Sequence, residues 1–320
     1  MTQKYSGLTP DKVGDAMGRL KGIVNVTPVM TSNTLDKQIG GSIFLKCENF
    51  QKVGAFKFRG AYHAISRLDR SQTEKGVIAH SSGNHAQGVA LAAAMLGVKA
   101  TIVMPEDSTP VKMAATAGYG ATVVKSTARD REKVSGELAE KHGYTLIHPY
   151  DNEDLILGQG TAAWELFDQV EDLDYLFVPV GGGGLISGTA LATAARSANC
   201  KVVGVEPVTG DDAGRSWRSG EVVTLSEVPQ TIADGVRTRF IGDRNLSVMQ
   251  EHVHDMTTAT DAQILEALQF IWARMKIIVE PSSALALAPI LSGKYDIKGG
   301  RAGILLSGGN VNVPGCGFFH

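Results

Sequence analysis

The chain has 320 residues, 43% of them hydrophobic and 20% charged, with a formal net charge of −2. That balance supplies neither the basic footprint of a nucleic-acid binder nor a polybasic membrane anchor, and the length allows one large domain or two smaller ones with ample core. The three cysteines, Cys47, Cys200 and Cys316, stand far apart with no CxxC spacing, so neither a zinc site nor a disulfide framework is indicated.

The N-terminal MTQKYSGLTPDKV lacks an apolar signal core, and no apolar run reaches transmembrane length, so a cytoplasmic protein is expected. A first helix is predicted over 9–20, with Thr9 as N-cap and Pro10 at the first helical position. SIFLKCE (42–48) reads as a strand. GVIAHSS ends a strand at a Gly-Asn turn, and HAQGVALAAAMLG follows as a helix stopped by Gly97. KATIVMP, ATVVKS, DYLFVPV, KVVGVEP and the start of RAGILLSGGN read as further strands. PVKMAATAGYG, AAWELFDQV and LISGTALATAARS read as helices between them. The clearest helix spans 260–276: Thr260 and Gln263 fit a capping box, and Ile264, Leu268, Ile271, Trp272 and Met275 form an apolar stripe. Short apolar strands alternating with helices predict an α/β protein with mostly parallel sheets flanked by helices.

Ligands of open α/β sheets bind beyond the carboxyl ends of the strands. Three strand-to-helix turns there are glycine-rich: SSGNHAQG (81–88), GGGGL (181–185) and SGGN (307–310). Gly181 to Gly184 open a helix, where converging backbone N–H groups and the helix's positive end suit an anion. A Walker loop is absent, and no glycine from 181 to 184 starts the spacing of a dinucleotide fingerprint, although Glu206 sits about where a ribose-binding acid would. A glycine turn used only for tight packing is the plainer alternative.

Lys57 lies between Phe56 and Phe58, after the small residues Gly54 and Ala55. An amine in an apolar setting loses solvation of its charged form, becomes nucleophilic and can form a Schiff base with an aldehyde cofactor. With a phosphate cradle elsewhere in the chain, the pair suggests pyridoxal 5'-phosphate. A lysine whose stem merely packs on the phenylalanines is the competing reading.

The motifs KCENFQKVGAFKFRGA, SSGNHAQG, PVGGGGLISG, TIADGVRT, ARMKIIVEP and LSGGN occur in this order. Together they make the sequence resemble the fold-type II pyridoxal-phosphate enzymes, the group of serine racemases, threonine dehydratases and 3-hydroxyaspartate dehydratases. The resemblance runs over nearly the whole chain. It implies two open twisted, mostly parallel sheets of the tryptophan synthase β type. Residues 1–77 and 152–320 would form a large cofactor-binding domain, and 78–151 a small mobile domain. A homodimer is also implied.

Carried over residue by residue, Lys57 would be the Schiff-base lysine, with Phe56 packing by the cofactor. Asn84 would bond the pyridine hydroxyl, Gly181, Gly182, Gly183, Gly184 and Leu185 would surround the phosphate, and Ser307 would meet the pyridine nitrogen. A neutral serine there keeps the ring a weaker electron sink, which favours β-elimination over transamination. Lys57 would handle the Cα proton on one face and Ser82 on the other, against a plainer role for Ser82 as a loop or capping serine. Ser81, Ser82, Asn84 and His85 would grip the substrate carboxylate, with His85 in a positioning role.

GVEPVTGDDAG offers hard oxygen ligands in Glu206 and Asp212. The resemblance puts a divalent cation there (Mg²⁺, Mn²⁺ or Ca²⁺) held by Glu206, the Gly210 carbonyl and Asp212; two solvated acids are the alternative. Arg131, Arg237 and Arg239 are candidates for a second substrate carboxylate, Arg131 by its match to racemase-like relatives, unless all three are surface or ion-pairing arginines. The implied activity is that of an ammonia-lyase releasing a 2-oxo acid and ammonia from a 3-hydroxy amino acid: 3-hydroxyaspartate, threonine or serine. A serine or aspartate racemase, a cysteine-type synthase and a non-catalytic pyridoxal-phosphate carrier remain as rivals.

Overall fold

The computed structural model describes residues 5, 7–81, 83–108, 110–297 and 299–312. Ser82 and Cys316 therefore lie outside the described residues. Ten strands are present among these: β1 (Val29–Met30), β2 (Ser42–Cys47), β3 (Val77–His80), β4 (Ala100–Pro105), β5 (Thr122–Ser126), β6 (Thr145–Leu146), β7 (Tyr175–Pro179), β8 (Lys201–Pro207), β9 (Asp255–Ala259) and β10 (Arg301–Leu306). They form a six-stranded sheet in the order β1-β2-β10-β7-β8-β9 and a four-stranded sheet in the order β5-β4-β3-β6. Among the described strands the β1–β2 pair is antiparallel and the other strand pairs are parallel. The four-stranded sheet is drawn from one continuous stretch, 77–146, and β10 inserts between β2 and β7.

The helices that cover these sheets are α1 (Pro10–Leu20), α2 (Asn33–Ile39), α3 (Lys57–Ser66), α4 (Arg70–Lys75), α5 (Asn84–Met95), α6 (Pro110–Gly118) and α7 (Arg131–His142) in the first half. The second half adds α8 (Glu153–Gln169), α9 (Gly184–Arg196), α10 (Asp212–Ser219), α11 (Asp243–His252), α12 (Asp261–Phe270), α13 (Pro281–Ala284) and α14 (Ala288–Leu291). The Thr260–Gln263 capping box is present in both directions. The α12 stripe continues beyond the α-helix into one π-helical stretch, Ile271–Met275, closed by Lys276 at φ 59°. The stripe keeps Ile264, Leu268, Ile271 and Met275 buried, and leaves Trp272 partly so. No helix among the described residues is long and apolar enough to cross a membrane.

Helix α8 runs against both α3 and α9, and glycines set the approach. A Cβ on Gly158 would lie 2.7 Å from the Gly60 Cα, and one on Gly160 would lie 2.4 Å from the Gly188 carbonyl. Side chains larger than hydrogen would force these helices apart and move the start of α3.

A group of four buried charges locks the same joint. Lys46 Nζ lies 2.6 Å from Glu165 Oε1, Arg59 Nε 2.7 Å from Glu48 Oε2, and Arg59 Nη2 3.1 Å from Glu165 Oε1, with all four side chains at most 3% exposed. The Thr27 hydroxyl donates to Glu48, the Thr27 N–H donates to Glu165, and Lys46 also donates to Gln169. Two positive and two negative charges thus cancel, and their remaining hydrogen-bonding capacity is largely met. Such a group adds little stability over an apolar replacement, but losing one member strands a buried charge at a cost of about 3–5 kcal/mol.

Burial alone would raise the Glu165 carboxyl. The charges of Arg59 and Lys46, with hydrogen bonds from both, outweigh it and hold the pKa below its ordinary 4.5. Because the folded value is the lower one, this stabilisation is complete above the ordinary value and drains away as pH falls through the depressed value. Glu165→Ala should lower unfolding free energy by about 3–5 kcal/mol in urea titrations at pH 7. Glu165→Gln should flatten the acid limb of the stability profile. A loss under about 1 kcal/mol in the alanine variant would show that the cluster does not hold the joint.

Candidate active site

The candidate residues issue from the carboxyl ends of strands in both sheets. β3 and β6 are parallel neighbours, so the chain leaves them side by side, at Ser81 and at Ile147. β7 delivers Gly181 to Gly184, and β10 delivers Ser307. Helix α3 enters beside them: the Phe56 N–H donates to the Ser307 carbonyl at 3.0 Å, and Ala55 bridges Gly308.

Lys57 is the first residue of α3. Its Nζ donates to the Pro149 carbonyl at 2.7 Å and stands 5.2 Å from the centre of the Phe56 ring. Burial pushes its pKa down to about 8, with Glu280 opposing the shift. At neutral pH about a tenth of the amine is therefore uncharged, far more than for an ordinary lysine, and that is the form a nucleophile requires. Gly88 of α5 lets the Lys57 backbone approach; a Cβ there would stand 3.2 Å from the Lys57 carbonyl.

The Gly181–Gly184 turn lies one residue from that contact. Tyr150, next to Pro149, packs its ring where a Gly182 Cβ would be, 2.2 Å from the ring's first carbon. Asn245 Nδ2 donates to both the Tyr150 and Gly182 carbonyls, at 3.0 and 2.9 Å. Gly183 takes φ +95° and starts α9 with no side chain capping its amides. Leu185 is buried behind the turn. An uncapped helix start behind four glycines leaves amide donors for an anion.

Asn84 opens α5 and is held at both ends: Asn310 Nδ2 donates to its Oδ1 at 2.9 Å, and its own Nδ2 donates to Glu280 Oε1 at 2.7 Å. Ser307 Oγ lies 3.2 Å from Ser283 Oγ, and Ser283 also exchanges hydrogen bonds with the Gly308 backbone. The group at the end of β10 is thus a pair of neutral hydroxyls. Ser81 Oγ accepts from the Gly83 N–H at 3.2 Å and shapes the turn before α5.

His85 is buried, with Nε2 bonded to the Ile147 carbonyl at 2.9 Å, and burial holds its pKa well below the usual value. It is a neutral strut between the two turns. His148 was not foreseen. Its ring stands edge-on to His80 at 6.0 Å and to Tyr150 at 4.6 Å. Burial, then His80 and Lys57, push it down to about 4, and its Nδ1 accepts from the Asp151 N–H at 2.9 Å.

Arg131 begins α7. Its charge reaches the same corner: burial lowers the His80 imidazole, Glu132 opposes this and Arg131 adds to it. Burial likewise raises the Tyr150 phenol, with Glu132 adding and Arg131 opposing. Arg237 and Arg239 are used differently, clasping the Pro229 and Leu225 carbonyls at 3.0 and 2.8 Å within their own loop.

At the end of β8, Glu206 accepts the Ala213 and Gly214 N–H groups of α10 at 2.9 and 2.7 Å. Burial and then Asp212 raise the Glu206 carboxyl, while burial and Asp211 push Asp212 up to about 7. Asp212 Oδ2 is buried without a partner. Two destabilised acids and an orphaned oxygen fit a hard cation, with Gly210 in the loop between them. Among the described residues no group of three or more His, Cys, Asp or Glu side chains forms a ready metal centre, so backbone oxygens or water would complete such a site. A separate cavity of about 550 Å³ lies at the opposite ends of the strands, against Asp174, Lys201 and Gly300, away from Lys57.

The residues present fit pyridoxal phosphate: a lysine of lowered pKa, an uncapped helix start and neutral hydroxyls close on one another. Residues 20–308 match the family described as pyridoxal-phosphate dependent enzyme. The chain is 50% identical to an L-threo-3-hydroxyaspartate ammonia-lyase of Saccharomyces cerevisiae, over 93% of this chain and 92% of that protein. It is 48% identical to a serine racemase of Schizosaccharomyces pombe, over 95% of each. The crystal structure of serine racemase from Dictyostelium discoideum superposes with a TM-score of 0.90 at 43% identity, covering 96% of this chain and all of that one.

Gly182→Ala should drive a methyl group into the Tyr150 ring and open the turn. We expect cofactor affinity, read by absorbance titration, to fall at least roughly tenfold, the scale of one lost hydrogen bond to a charged group. Unchanged affinity would mean that the Gly182–Tyr150 packing does not shape the site.

Proposed function

Because this chain belongs to the pyridoxal-phosphate-dependent enzymes, we propose that it is an ammonia-lyase that converts 3-hydroxyaspartate to oxaloacetate and ammonia. The observation that carries the lyase reading is the Lys57 amine, its pKa brought down to about 8, beside a neutral Ser307–Ser283 hydroxyl pair. The choice of substrate is supported by the relatedness to hydroxyaspartate ammonia-lyases and by a guanidinium at the cleft corner.

Bound pyridoxal phosphate would draw electrons from the substrate Cα and make its proton acidic. Lys57 would hold the cofactor and, as a free amine, would take the Cα proton; its bond to the Pro149 carbonyl keeps the amine aimed. The amides of Gly181 to Gly184 and Leu185 would hold the phosphate. Phe56 would pack by the ring, Asn84 would donate to the ring oxygen, and Ser307 would meet the ring nitrogen as a neutral partner. Ser81, Asn84 and His85 shape the carboxylate end. Arg131 binds the second carboxylate of the substrate, where a planar guanidinium suits bidentate contact. The hydroxyl leaves as water, and hydrolysis of the released imine returns that water and liberates ammonia.

Ser82 serves the other face of Cα, so the same pair would suffice for racemisation. Relatedness to serine racemases keeps that second reading open. Residues 78–151 form the small mobile domain in this account, meeting the remainder through contacts that include the Lys112–Asp234 pair at 2.9 Å and the Asn84–Glu280 bond at 2.7 Å, and compaction on substrate binding in small-angle scattering is its mark. The enzyme works as a cytoplasmic homodimer, to be read by sedimentation of the holoenzyme and by cell fractionation.

Borohydride reduction of the holoenzyme followed by peptide mapping should place the pyridoxyl group on Lys57. In steady-state assays, kcat/KM for 3-hydroxyaspartate should equal or exceed those for threonine and serine. Arg131→Ala should cost about 10²-fold or more on hydroxyaspartate and much less on serine. Ser82→Ala should impair serine racemisation more than elimination. Preference for threonine, with no differential loss in the arginine variant, would return the protein to plain serine/threonine dehydratases. Dominant Cα inversion without ammonia would make it a racemase, and cofactor binding without turnover a carrier.

Glu206, Gly210 and Asp212 hold a divalent cation in this reading, with a structural and activating role. Chelation should lower Tm and activity, and Mg²⁺, Mn²⁺ or Ca²⁺ should restore both. Indifference of both to chelator would remove the cation from the account.

A further inference from the structure

Glu280 is buried, 3% exposed, and has no part in the proton transfers assigned to Lys57 and Ser82. It sits immediately before α13, with its backbone N–H on the Gly308 carbonyl at 3.0 Å. Its carboxylate accepts from amides: Asn84 Nδ2 at 2.7 Å and the Asn310 N–H. Gly308 makes room for it, since a Cβ there would lie 2.8 Å from Glu280 Oε1. The Asn310 side chain completes the frame, donating to Asn84 Oδ1 at 2.9 Å and to the Val53 carbonyl at 2.7 Å.

An amide side chain has one acceptor end and two N–H donors. Here Asn310 fixes which end of Asn84 is oxygen, and Glu280 occupies one donor of the other end. One N–H is left over.

We propose that Glu280 is a positioning residue: it clamps the Asn84 amide so that its remaining N–H is presented to the ring oxygen of the cofactor. The inference rests on the pyridoxal-phosphate reading above and adds to it the group that orients a cofactor contact. Three charged groups bear on the carboxyl or feel it. Burial and then Asp234 raise it, to about 8, while the Asn84 hydrogen bond and Lys112 oppose; Lys57 feels its charge. The same short segment carries Ser283, which meets Ser307, so one stretch of chain backs both the oxygen and the nitrogen side of the ring.

The test compares Glu280→Ala, Glu280→Gln and wild type, and both variants again with Asn84→Ala. Pyridoxal 5'-phosphate dissociation constants, the absorbance maximum of the bound cofactor and the Tm of cofactor-free protein are measured. Measured above the raised pKa of Glu280, where its carboxyl is ionised, Glu280→Ala should weaken cofactor binding roughly ten- to a hundredfold, the scale of a lost charge-assisted bond, and shift the absorbance band. Glu280→Gln keeps an acceptor for Asn84 and should stay within about threefold, since it retains a neutral hydrogen bond. In the Asn84→Ala background the alanine effect should vanish.

Ordinary cofactor affinity in Glu280→Ala would overturn the inference. So would equal damage in the glutamine variant, or a full effect that persists without Asn84. A change confined to the Tm of the cofactor-free protein would also overturn it, showing a structural role only. Wild-type protein that takes up no cofactor would overturn the functional reading itself, an outcome distinct from all of these.

Discussion

Two buried carboxylates, Glu48 and Glu165, share two buried cations, Lys46 and Arg59, at the junction of β2, α3 and α8. The position of Lys57 depends on this junction, because Arg59 lies two residues further along the same helix. A reactive amine must sit in a low-dielectric setting without its helix relaxing to hydrate it. The charge cluster supplies an anchor that an apolar contact would not: its geometry is directional, and sliding α3 along α8 would separate charges that have no access to water. The glycine contacts between α3 and α8 work with it, since they let the two helix backbones approach closely.

The site is then assembled from pieces that share few sequence neighbours. Lys57 touches Pro149, Tyr150 touches Gly182, and Asn84 touches Glu280 and Asn310. These contacts link the ends of β3, β6, β7 and β10, so the pocket is the meeting of two sheets rather than a property of either. The turns from the four-stranded sheet bring neutral histidines and amides. Those from the six-stranded sheet bring glycines and serines. Formal charge close to Lys57 is therefore sparse, which leaves the amine's pKa under the control of burial and of Glu280 alone.

Much of this was legible in the sequence where the signal is local. The apolar runs of β2, β4, β5, β7, β8 and β10 announced strands, Thr260 and Gln263 announced a helix start, and a lysine between two phenylalanines announced a desolvated amine. The two-sheet arrangement followed from the family resemblance. Less visible were elements whose residues do not advertise them. β9 (DMTTA) is polar and short, and α7 is too evenly charged to show an apolar face. Lys46 in SIFLKC reads as an ordinary outward-facing strand residue; only the fold reveals that its partner is Glu165. Glu280 falls within the ARMKIIVEP motif, but nothing local says what it does, because its meaning comes from Asn84, almost two hundred positions away. Arg237 and Arg239, candidates for a substrate carboxylate by type, each spend Nε on a carbonyl of their own loop, a use that charge pattern cannot distinguish from binding.

The placement of β10 between β2 and β7 has a consequence for how the chain reaches this state. During synthesis β2 emerges early, and β7 to β9 can form their parallel pairings once they follow, but no partner joins the two groups until residues 301–306 appear. The four-stranded sheet has no such gap, being closed within 77–146. Its pairings are shorter in sequence and can form while the rest of the chain is still on the ribosome, whereas the larger sheet waits for a long-range closure. A nascent chain would thus hold one finished sheet and one open-edged sheet, with exposed strand edges at β2 and β7 awaiting the last strand. The arrival of β10 both caps those edges and delivers Ser307, so competence to bind the cofactor and escape from aggregation come in the same step.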